Sequence, residues 1–350
     1  MLPNISMGVR TIKVSIMITC YNSEDTIDRA IESAVTQKMP FQWELLIGDD
    51  GSSDKTVERI RAWIDRYPQN IRLFIMDRAA TNEKSGTRAA RNRANLLQNA
   101  VGEYLTFLDG DDEFIDTGKI AMQVELLDLP EYSGCACAAH NIIANIQSEN
   151  RRYAMVDESI AAGVVQPKDY WRNLYFHTDT ILFRQNCRDM MFKDAYRDYL
   201  NDNFITYLII QHGTILYTKD LMTQYNITGN GLWTGNKRVF GCFRNLILYD
   251  LELRINPKLK KEAFRRHLYD ILYVFRHHKD DSDQDILGLV RNLDENEFPF
   301  TRLLAKTTDL SFAQKCTKMK LVIKARCFSL QLHISRLGIY IKRLLKKTAE

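Results

Sequence analysis

No apolar run reaches the roughly eighteen residues that a bilayer-spanning helix needs, and Met1 to Lys13 is mixed and polar, not a basic start leading into an apolar segment. A secretory leader and a transmembrane anchor are therefore not expected, and the expected location is the cytoplasm. The seven cysteines are an odd number without paired spacing, which speaks against a disulfide framework. Cys135 and Cys137 alternate within a β-prone run, so they read as core residues and not as zinc ligands. A formal net charge of only +4 gives no general case for nucleic acid as a partner. Two phosphate-binding signatures are also missing. No G-x-G-x-x-G follows the first apolar run, which argues against a dinucleotide dehydrogenase, and no G-x-x-x-x-G-K-[ST] occurs, which argues against a P-loop. Gly86-Thr87-Arg88 lies too far along the chain to be the N-terminal glycine loop of a sugar nucleotidyltransferase. A nucleotide would have to be held by side chains and strand ends.

What is present is the composition of a soluble globular protein, 45% hydrophobic and 26% charged, long enough for one large domain and an appendage. Lys13 to Cys20 is an apolar run expected to be a buried strand. Ser23, Glu24, Asp25 and Thr26 supply the cap and acidic first turn of a helix reaching about Lys38, where Pro40 ends it. Trp43 to Gly48 predicts a second strand, Lys55 to Arg66 a helix, and Ile71 to Met76 a third strand. Thr87 to Ala100 predicts another helix, basic at its start through Arg88, Arg91 and Arg93. Strand and helix alternate as in a parallel, doubly wound sheet.

Residues 103 to 112 organise the rest: the β-prone run Tyr104 to Leu108 ends in Asp109, Gly110, Asp111 and Asp112. The second strand likewise runs into Asp49 and Asp50. In open α/β sheets ligands bind outside the carboxyl ends of the strands, so acids there suit a hard cation and the phosphates it bridges. The basic segment between the two acidic strand ends supplies guanidinium groups for phosphate. A solvated acidic turn is the alternative reading of residues 109 to 112 alone.

Four segments in this order, Val14 to Asn22, Trp43 to Asp54, Ala90-Arg91-Asn92 and Gly102 to Asp112, resemble the family 2 glycosyltransferases of bacterial surface-polysaccharide type. The resemblance implies a GT-A fold: an α/β, Rossmann-like mixed, mostly parallel sheet flanked by helices, here over residues 1–235, followed by a helical, basic region over 236–350. It implies that Thr19, Tyr21 and Asn22 cradle the nucleotide with Asp49, Asp50, Arg91 and Asp109, and that Asp111 and Asp112 hold Mn2+ or Mg2+. Asp202 matches the family's general base at a helix start, a position where it equally suits a helix cap. Tyr175 to Arg184 reads as a strand on the acceptor side, with His177 either touching the acceptor or structural. Gly213 to Tyr217 reads as a further strand. Met222 to Thr234, with Thr228, Gly231 and Trp233, resembles the family's loop over the donor diphosphate; Asn226 and Thr228 stand where that loop usually has arginine and histidine.

The last third is expected to be helical over Phe240 to Ile255 and Lys258 to His278, with His267, His277 and His278 facing solvent. Asp280 to Asp285 is an acidic turn without the glycine of a calcium loop. Lys315 to Lys347 contains no acid, and Leu330, Ile334, Leu337, Ile341 and Leu344 form an apolar seam opposite its cations. Such a seam fits an anionic membrane surface or a second copy of the chain. The expected activity is transfer of a sugar from a nucleoside-diphosphate donor, a UDP-sugar in particular, to a hydroxyl of a growing, lipid-linked or free glycan, by inversion. A nucleotide-sugar-binding protein without turnover and a scaffold acting through its C-terminal helices are the alternatives.

Overall fold

The computed structural model describes residues 11–77, 85–155, 160–172, 176–227, 238–268, 270–271, 294 and 296–301. The chain divides into two compact units, Met1–Asn236 and Lys237–Glu350.

The first unit opens with β1 (Val14–Cys20), α1 (Ile27–Val35), β2 (Trp43–Asp49), α2 (Thr56–Arg66), β3 (Ile71–Ile75), α3 (Ser85–Asn99) and β4 (Tyr104–Asp109). These strands are mutually parallel and lie in the order β3-β2-β1-β4. Burial on both faces explains why β1 and β4 read as continuous apolar runs. Val14, Ile16 and Ile18 pack with Ile27, Ala30, Ile31 and Ala34 of α1 and with Ile60 and Trp63 of α2. Each fully buried Ile or Val is worth roughly 1.5–3 kcal/mol, so these strands are the stable floor of the unit. On α3, the Asn92 side chain donates to the Gly48 carbonyl at 2.8 Å. A Cβ on Gly48 would meet Asn92 Oδ1 at 2.0 Å, so a larger residue there would displace the Asn92 side chain that ties α3 to β2.

The sheet continues beyond β4. After β5 (Glu113–Phe114) and α4 (Lys119–Asp128) come β6 (Cys135–Ile146), β7 (Arg151–Met155), β8 (Gly163–Val165), β9 (Leu182–Arg184), α5 (Asp202–Ile210) and β10 (Thr214–Ile227). The complete order is β3-β2-β1-β4-β9-β6-β10-β5, with β7 on β6 and β8 on β10. β9 runs antiparallel between β4 and β6, whereas β6 and β10 run parallel to each other. The sheet is therefore mixed and mostly parallel, as expected, with helices around it.

Several local expectations are corrected. The first helix starts at Ile27, and its N-cap position is Thr26, not Ser23, whose carbonyl accepts the Thr26 and Ile27 N–H groups. The segment read as a strand from Tyr175 is instead a 3-10 turn over Thr178–Thr180, and only Leu182–Arg184 is strand. Thr214–Ile227 is one long strand, with register shifts between Thr214 and Ile215 and between Tyr217 and Thr223, so Met222 to Asn226 belong to the sheet and not to a loop.

In the second unit, α6 (Arg238–Ile255) is helical as read; the helix read from Lys258 to His278 is α7 (Lys260–Arg266), preceded by a 3-10 turn over Pro257–Leu259, and residues 272–278 of that reading lie outside the described residues. His267 does not face solvent: it is 4% exposed, with Nε2 3.0 Å from Glu252 Oε2. A partner fifteen positions upstream, on the preceding helix, turns a polar residue inward. His277, His278, the acidic turn at 280–285 and the basic seam within 315–347 lie outside the described residues. Among the described residues, no helix is long and apolar enough to cross a membrane.

Candidate active site

The parallel register puts the first two acidic strand ends side by side. Thr19 is opposite Gly48 on one side and Asp109 on the other. The Asp50 N–H donates to Cys20 O and the Gly110 N–H to Thr19 O, both at 2.9 Å, so the two acidic turns flank the end of β1. A Cβ on Gly110 would lie 2.7 Å from Cys20 Cβ, which keeps this turn tight against β1.

At the β2 end, Asp49 is fully buried and builds its own turn. Its Oδ1 accepts the Gly51 and Ser52 N–H groups at 3.0 and 2.8 Å, and its Oδ2 accepts the Ser52 hydroxyl. Asp50 pairs with the buried Arg88 guanidinium at 2.7 Å. Asn22 has φ 47°, a left-handed conformation that Asn tolerates. Its Oδ1 accepts the Ser53 N–H at 2.9 Å and its own N–H donates to Ser52 Oγ, joining the end of β1 to the β2 turn. Tyr21, 41% exposed, stands at the rim.

At the β4 end, Thr19 Oγ1 donates to Asp109 Oδ1 at 2.9 Å, and Arg93 Nη2 donates to both Asp109 oxygens at 3.0 and 3.1 Å. The same Arg93 nitrogen lies 3.6 Å from Asp202 Oδ1. Arg93 therefore ties the end of β4 to the start of α5. Arg91, which the resemblance points to, instead forms a two-bond pair with Asp198 at 2.7 and 2.9 Å. The N-cap of α5 is Asn201, whose Oδ1 accepts the Phe204 N–H at 3.0 Å. Asp202 is thereby relieved of capping and turns toward Arg93, Thr178 and His177. Thr178 Oγ1 donates to Asp202 Oδ1 at 3.3 Å, and His177 Nε2 is 3.8 Å from Asp202 Oδ2.

Asn226, at the end of β10, fixes the acidic turn. Its backbone N–H donates to Asp112 Oδ1 at 2.8 Å and its side-chain amide to Asp111 O at 2.9 Å. Its Oδ1 accepts from Asn145 at 2.8 Å and Gln224 at 2.9 Å, and Arg29 adds a second donor to Asp111 O at 3.1 Å. Asn226 occupies a position where the resemblance leads one to expect arginine, and here its side chain bonds to the backbone of the acidic turn while its own backbone N–H reaches the Asp112 carboxylate.

Asp179, in the turn before β9, did not stand out in the sequence. It is fully buried, with Oδ2 3.5 Å from His177 Nδ1. One ligand atom from each of Asp109, Asp112, His177 and Asp179 lies within 4.8 Å of the others. Asp112 Oδ2, Asp179 Oδ2 and His177 Nδ1 are buried without a hydrogen-bond partner. Buried polar atoms in native folds are almost always satisfied, so this donor set fits a divalent cation. The signal that could have found Asp179 is a carboxylate in a short polar stretch between apolar Tyr175-Phe176 and Ile181-Leu182-Phe183, since acids are rarely buried without a partner.

The electrostatics follow the packing. Burial alone would raise the Asp109 carboxyl, but the Arg93 guanidinium and the His177 ring hold it below the usual carboxylate range. Burial and the neighbouring Asp109 push Asp111 up to about 6. Burial, then Asp179 and Asp111, push Asp112 well above the usual range. Burial would lower His177, but Asp179 beside it, then Asp202 and Asp109, raise it to about 10. Beneath the cluster, the fully buried Lys119 amine lies 4.1 Å from the Phe114 ring centre and is brought down to about 7 by burial, opposed by Asp179.

The structure thus brings Thr19, Asp109, Asp112, His177 and Asp202 together with Arg93 and Asp179. Tyr21, Asn22, Asp49 and Asp50 lie across the end of β1, the partly exposed Asp111 lies at the tip of its turn, and Arg91 is engaged by Asp198. Thr228, Gly231 and Trp233 lie outside the described residues.

A mixed α/β sheet with acids grouped at the carboxyl ends of adjacent parallel strands defines a GT-A-type fold. Glycosyl transferase family 2 matches residues 15–200 by its sequence profile, more than half of the chain, and the chain belongs to that family. An uncharacterized protein of Mycobacterium tuberculosis is 28% identical over 231 residues, covering 63% of this chain and 60% of its own. The Escherichia coli UDP-Glc:alpha-D-GlcNAc-diphosphoundecaprenol beta-1,3-glucosyltransferase WfgD is 38% identical over 115 residues, covering 33% of this chain and 40% of its own. The chain thus spans at most about three fifths of the length of these curated relatives, 60% and 40%. The crystal structure of Staphylococcus aureus TarS 1-349 in complex with UDP-GlcNAc shares the fold, with a TM-score of 0.57 at 15% identity over 84% of this chain and 88% of that one.

Proposed function

We propose that the protein is an inverting, metal-dependent glycosyltransferase that moves a sugar from a UDP-sugar to a hydroxyl of a growing, lipid-linked glycan. The observation that carries this reading is Arg93, bonded to Asp109 at 3.0 Å and 3.6 Å from Asp202, which holds a donor-side acid and a base candidate in one cleft. The family membership and the printed activity of the E. coli relative, UDP-Glc transferred to a diphosphoundecaprenol-linked acceptor, support the choice of donor and acceptor.

Tyr21, Asn22 and the Asp49–Asp50 turn form the nucleotide side of the cleft, and Asp109, Asp111 and Asp112 the diphosphate side. Asp109, Asp112, His177 and Asp179 would hold Mn2+ or Mg2+, which when bound supplies positive charge to a departing diphosphate. Asp202 takes the proton of the acceptor hydroxyl at its carboxylate as that oxygen attacks the anomeric carbon. Thr178, through its hydroxyl, and Arg93 fix the orientation of that carboxylate. In this reading residues 1–235 carry the transferase and 236–350 form the basic, helical region, whose seam within 315–347 attaches the protein to the inner face of the cell membrane or to a second copy of itself.

The test is a panel of nucleotide sugars with Mn2+ and an undecaprenyl-diphosphate-linked acceptor. Wild type is expected to transfer from a UDP-sugar, and Asp202→Asn to bind UDP while transferring nothing. Wild-type rates in Asp202→Asn would remove Asp202 as base. Donor binding by wild type without transfer or hydrolysis would leave a binding protein.

A further inference from the structure

The end of β10 presents one side chain, Tyr225, to which the proposed reaction gives no task. The segment expected to loop over the donor diphosphate is strand through Ile227, so Tyr225 is held by the sheet, opposite Ala144 of β6. Its chain neighbours are engaged elsewhere: Gln224 donates to Glu113 Oε1 at 2.6 Å and to Asn226 Oδ1 at 2.9 Å, and Asn226 holds the acidic turn. Side chains two apart on a strand share a face, and Thr223, on the face of Tyr225, donates to Asp179 O at 3.4 Å. Tyr225 accordingly packs on the turn before β9, its ring centre 5.0 Å from that of His177 with the planes 40° apart.

Tyr225 is half-buried, and among the described residues its phenol has no hydrogen-bond partner. Burial, then the charges of Asp112, Asp111, Asp109 and Asp202, push that phenol up, so it keeps its proton and stays a donor. Its place is fixed from two sides. Next to it in the chain, the Asn226 N–H lies 2.8 Å from Asp112 Oδ1, and the His177 ring it packs against has Nε2 3.8 Å from Asp202 Oδ2. In a single displacement the anomeric carbon lies between the departing diphosphate and the hydroxyl delivered at the base, all held in attack geometry. A residue that borders the acidic turn on one side and the Asp202 neighbourhood on the other is beside the sugar, not beside the nucleotide.

We infer, resting on the transferase reading, that Tyr225 is a contact for the transferred sugar: an apolar face of the pyranose lies on the exposed part of its ring, and its hydroxyl donates to one hydroxyl oxygen of that sugar. The ring offers a rigid amphipathic surface that costs little conformational entropy to present. The hydroxyl offers discrimination, because a site built to bond a substrate hydroxyl rejects the analogue that lacks it.

The experiment is calorimetric titration of the full chain in Mn2+ with UDP alone, with UDP-glucose and UDP-N-acetylglucosamine, and with the monodeoxy analogues of whichever sugar binds. Tyr225→Phe keeps the ring against His177 and removes only the hydroxyl. It should bind UDP as wild type does and the UDP-sugar about two- to tenfold more weakly, the range for one net hydrogen bond. Tyr225→Ala should lose more, again without change for UDP. One monodeoxy analogue should bind wild type more weakly than its parent sugar does, yet bind Tyr225→Phe as well as the parent does. Affinities for UDP and UDP-sugar that fall by the same factor in Tyr225→Phe overturn the inference, since a structural or diphosphate role moves both alike. Wild-type affinity for the UDP-sugar in Tyr225→Ala overturns it too and leaves the transferase reading intact, as does a wild type that transfers sugar equally well when Tyr225 is Phe or Ala. A wild type that binds neither UDP nor any UDP-sugar removes both. A sugar-dependent loss in Tyr225→Phe, in a protein that transfers nothing, would sink the transferase reading and leave the sugar contact standing.

Discussion

Arg93→Met tests whether one guanidinium holds the cleft together. The substitution keeps most of the aliphatic length and removes the charge facing Asp109 and Asp202, whose side chains are 26% and 14% exposed against 11% for Arg93. Removing one member of a largely buried ion pair typically costs about 3–5 kcal/mol, because the remaining charge stays desolvated. Here Asp109 loses two hydrogen bonds and Asp202 its nearest guanidinium, so a loss in that range is expected at pH 7, by urea unfolding in the presence of chelator. The pH dependence has a definite sign. Arg93 and His177 hold the folded Asp109 pKa below its ordinary value, so this contribution is fully present above about pH 4 and is lost as pH falls through the depressed value. The gap between wild type and Arg93→Met should therefore be widest near neutrality and shrink below about pH 4. Arg93→Lys, which keeps the charge but not the fork, should fall between them. Arg93→Met combined with Asp109→Asn should cost less than the sum of the two single changes. An Arg93→Met protein that unfolds with wild type at pH 7, or a gap that widens on acidification, would refute the reasoning.

Asn226→Ala removes the side-chain donor to Asp111 O and the acceptor for Asn145 and Gln224. It should destabilise the protein by about 1–3 kcal/mol through buried groups left unpaired, read by urea unfolding, and weaken Mn2+ binding about 10–100-fold, read by titration. In the second unit, burial would lower His267, but Glu252 and Asp270 raise it above its ordinary value. The His267–Glu252 pair thus contributes stability below about pH 6.5 that is lost as pH rises through the raised folded value. His267→Gln should lower the melting temperature most below about pH 6.5, where the pair contributes fully, and so flatten that alkaline decline.

The parts of the fold legible in the sequence are those where burial on both faces writes a continuous apolar run, as in Val14–Cys20 and Tyr104–Asp109, and where an acid ends the run abruptly. Asp109, Asp112 and Asp202, which the resemblance singled out, lie in one neighbourhood because they sit at strand or helix ends, whose positions the topology dictates. It pointed to Arg91 where packing uses Arg93, since two arginines two positions apart on a helix face different ways and no motif says which one turns inward. Asp179 was hidden because Leu182–Arg184 is too short to announce a strand and the turn before it looks like more of the same run. The choice between cap and base at Asn201-Asp202 was equally hidden. It depends on which side chain reaches the Phe204 N–H, a matter of backbone angle and not of residue type, as both types cap well.

β9 has a consequence for how any dissected form of this protein would behave. Three residues long, it is wedged antiparallel between β4 and β6, and the turn ahead of it delivers His177 and Asp179 to acids encoded some seventy positions earlier. A fragment ending near residue 130 would retain the four segments that carry the sequence resemblance, yet lose the rest of the family match, which runs to residue 200, and two of the four side chains that converge here. It would display that signature without the grouping of side chains described above, and under the proposed reading cation uptake would report whether the latter half of the sheet has folded onto the first.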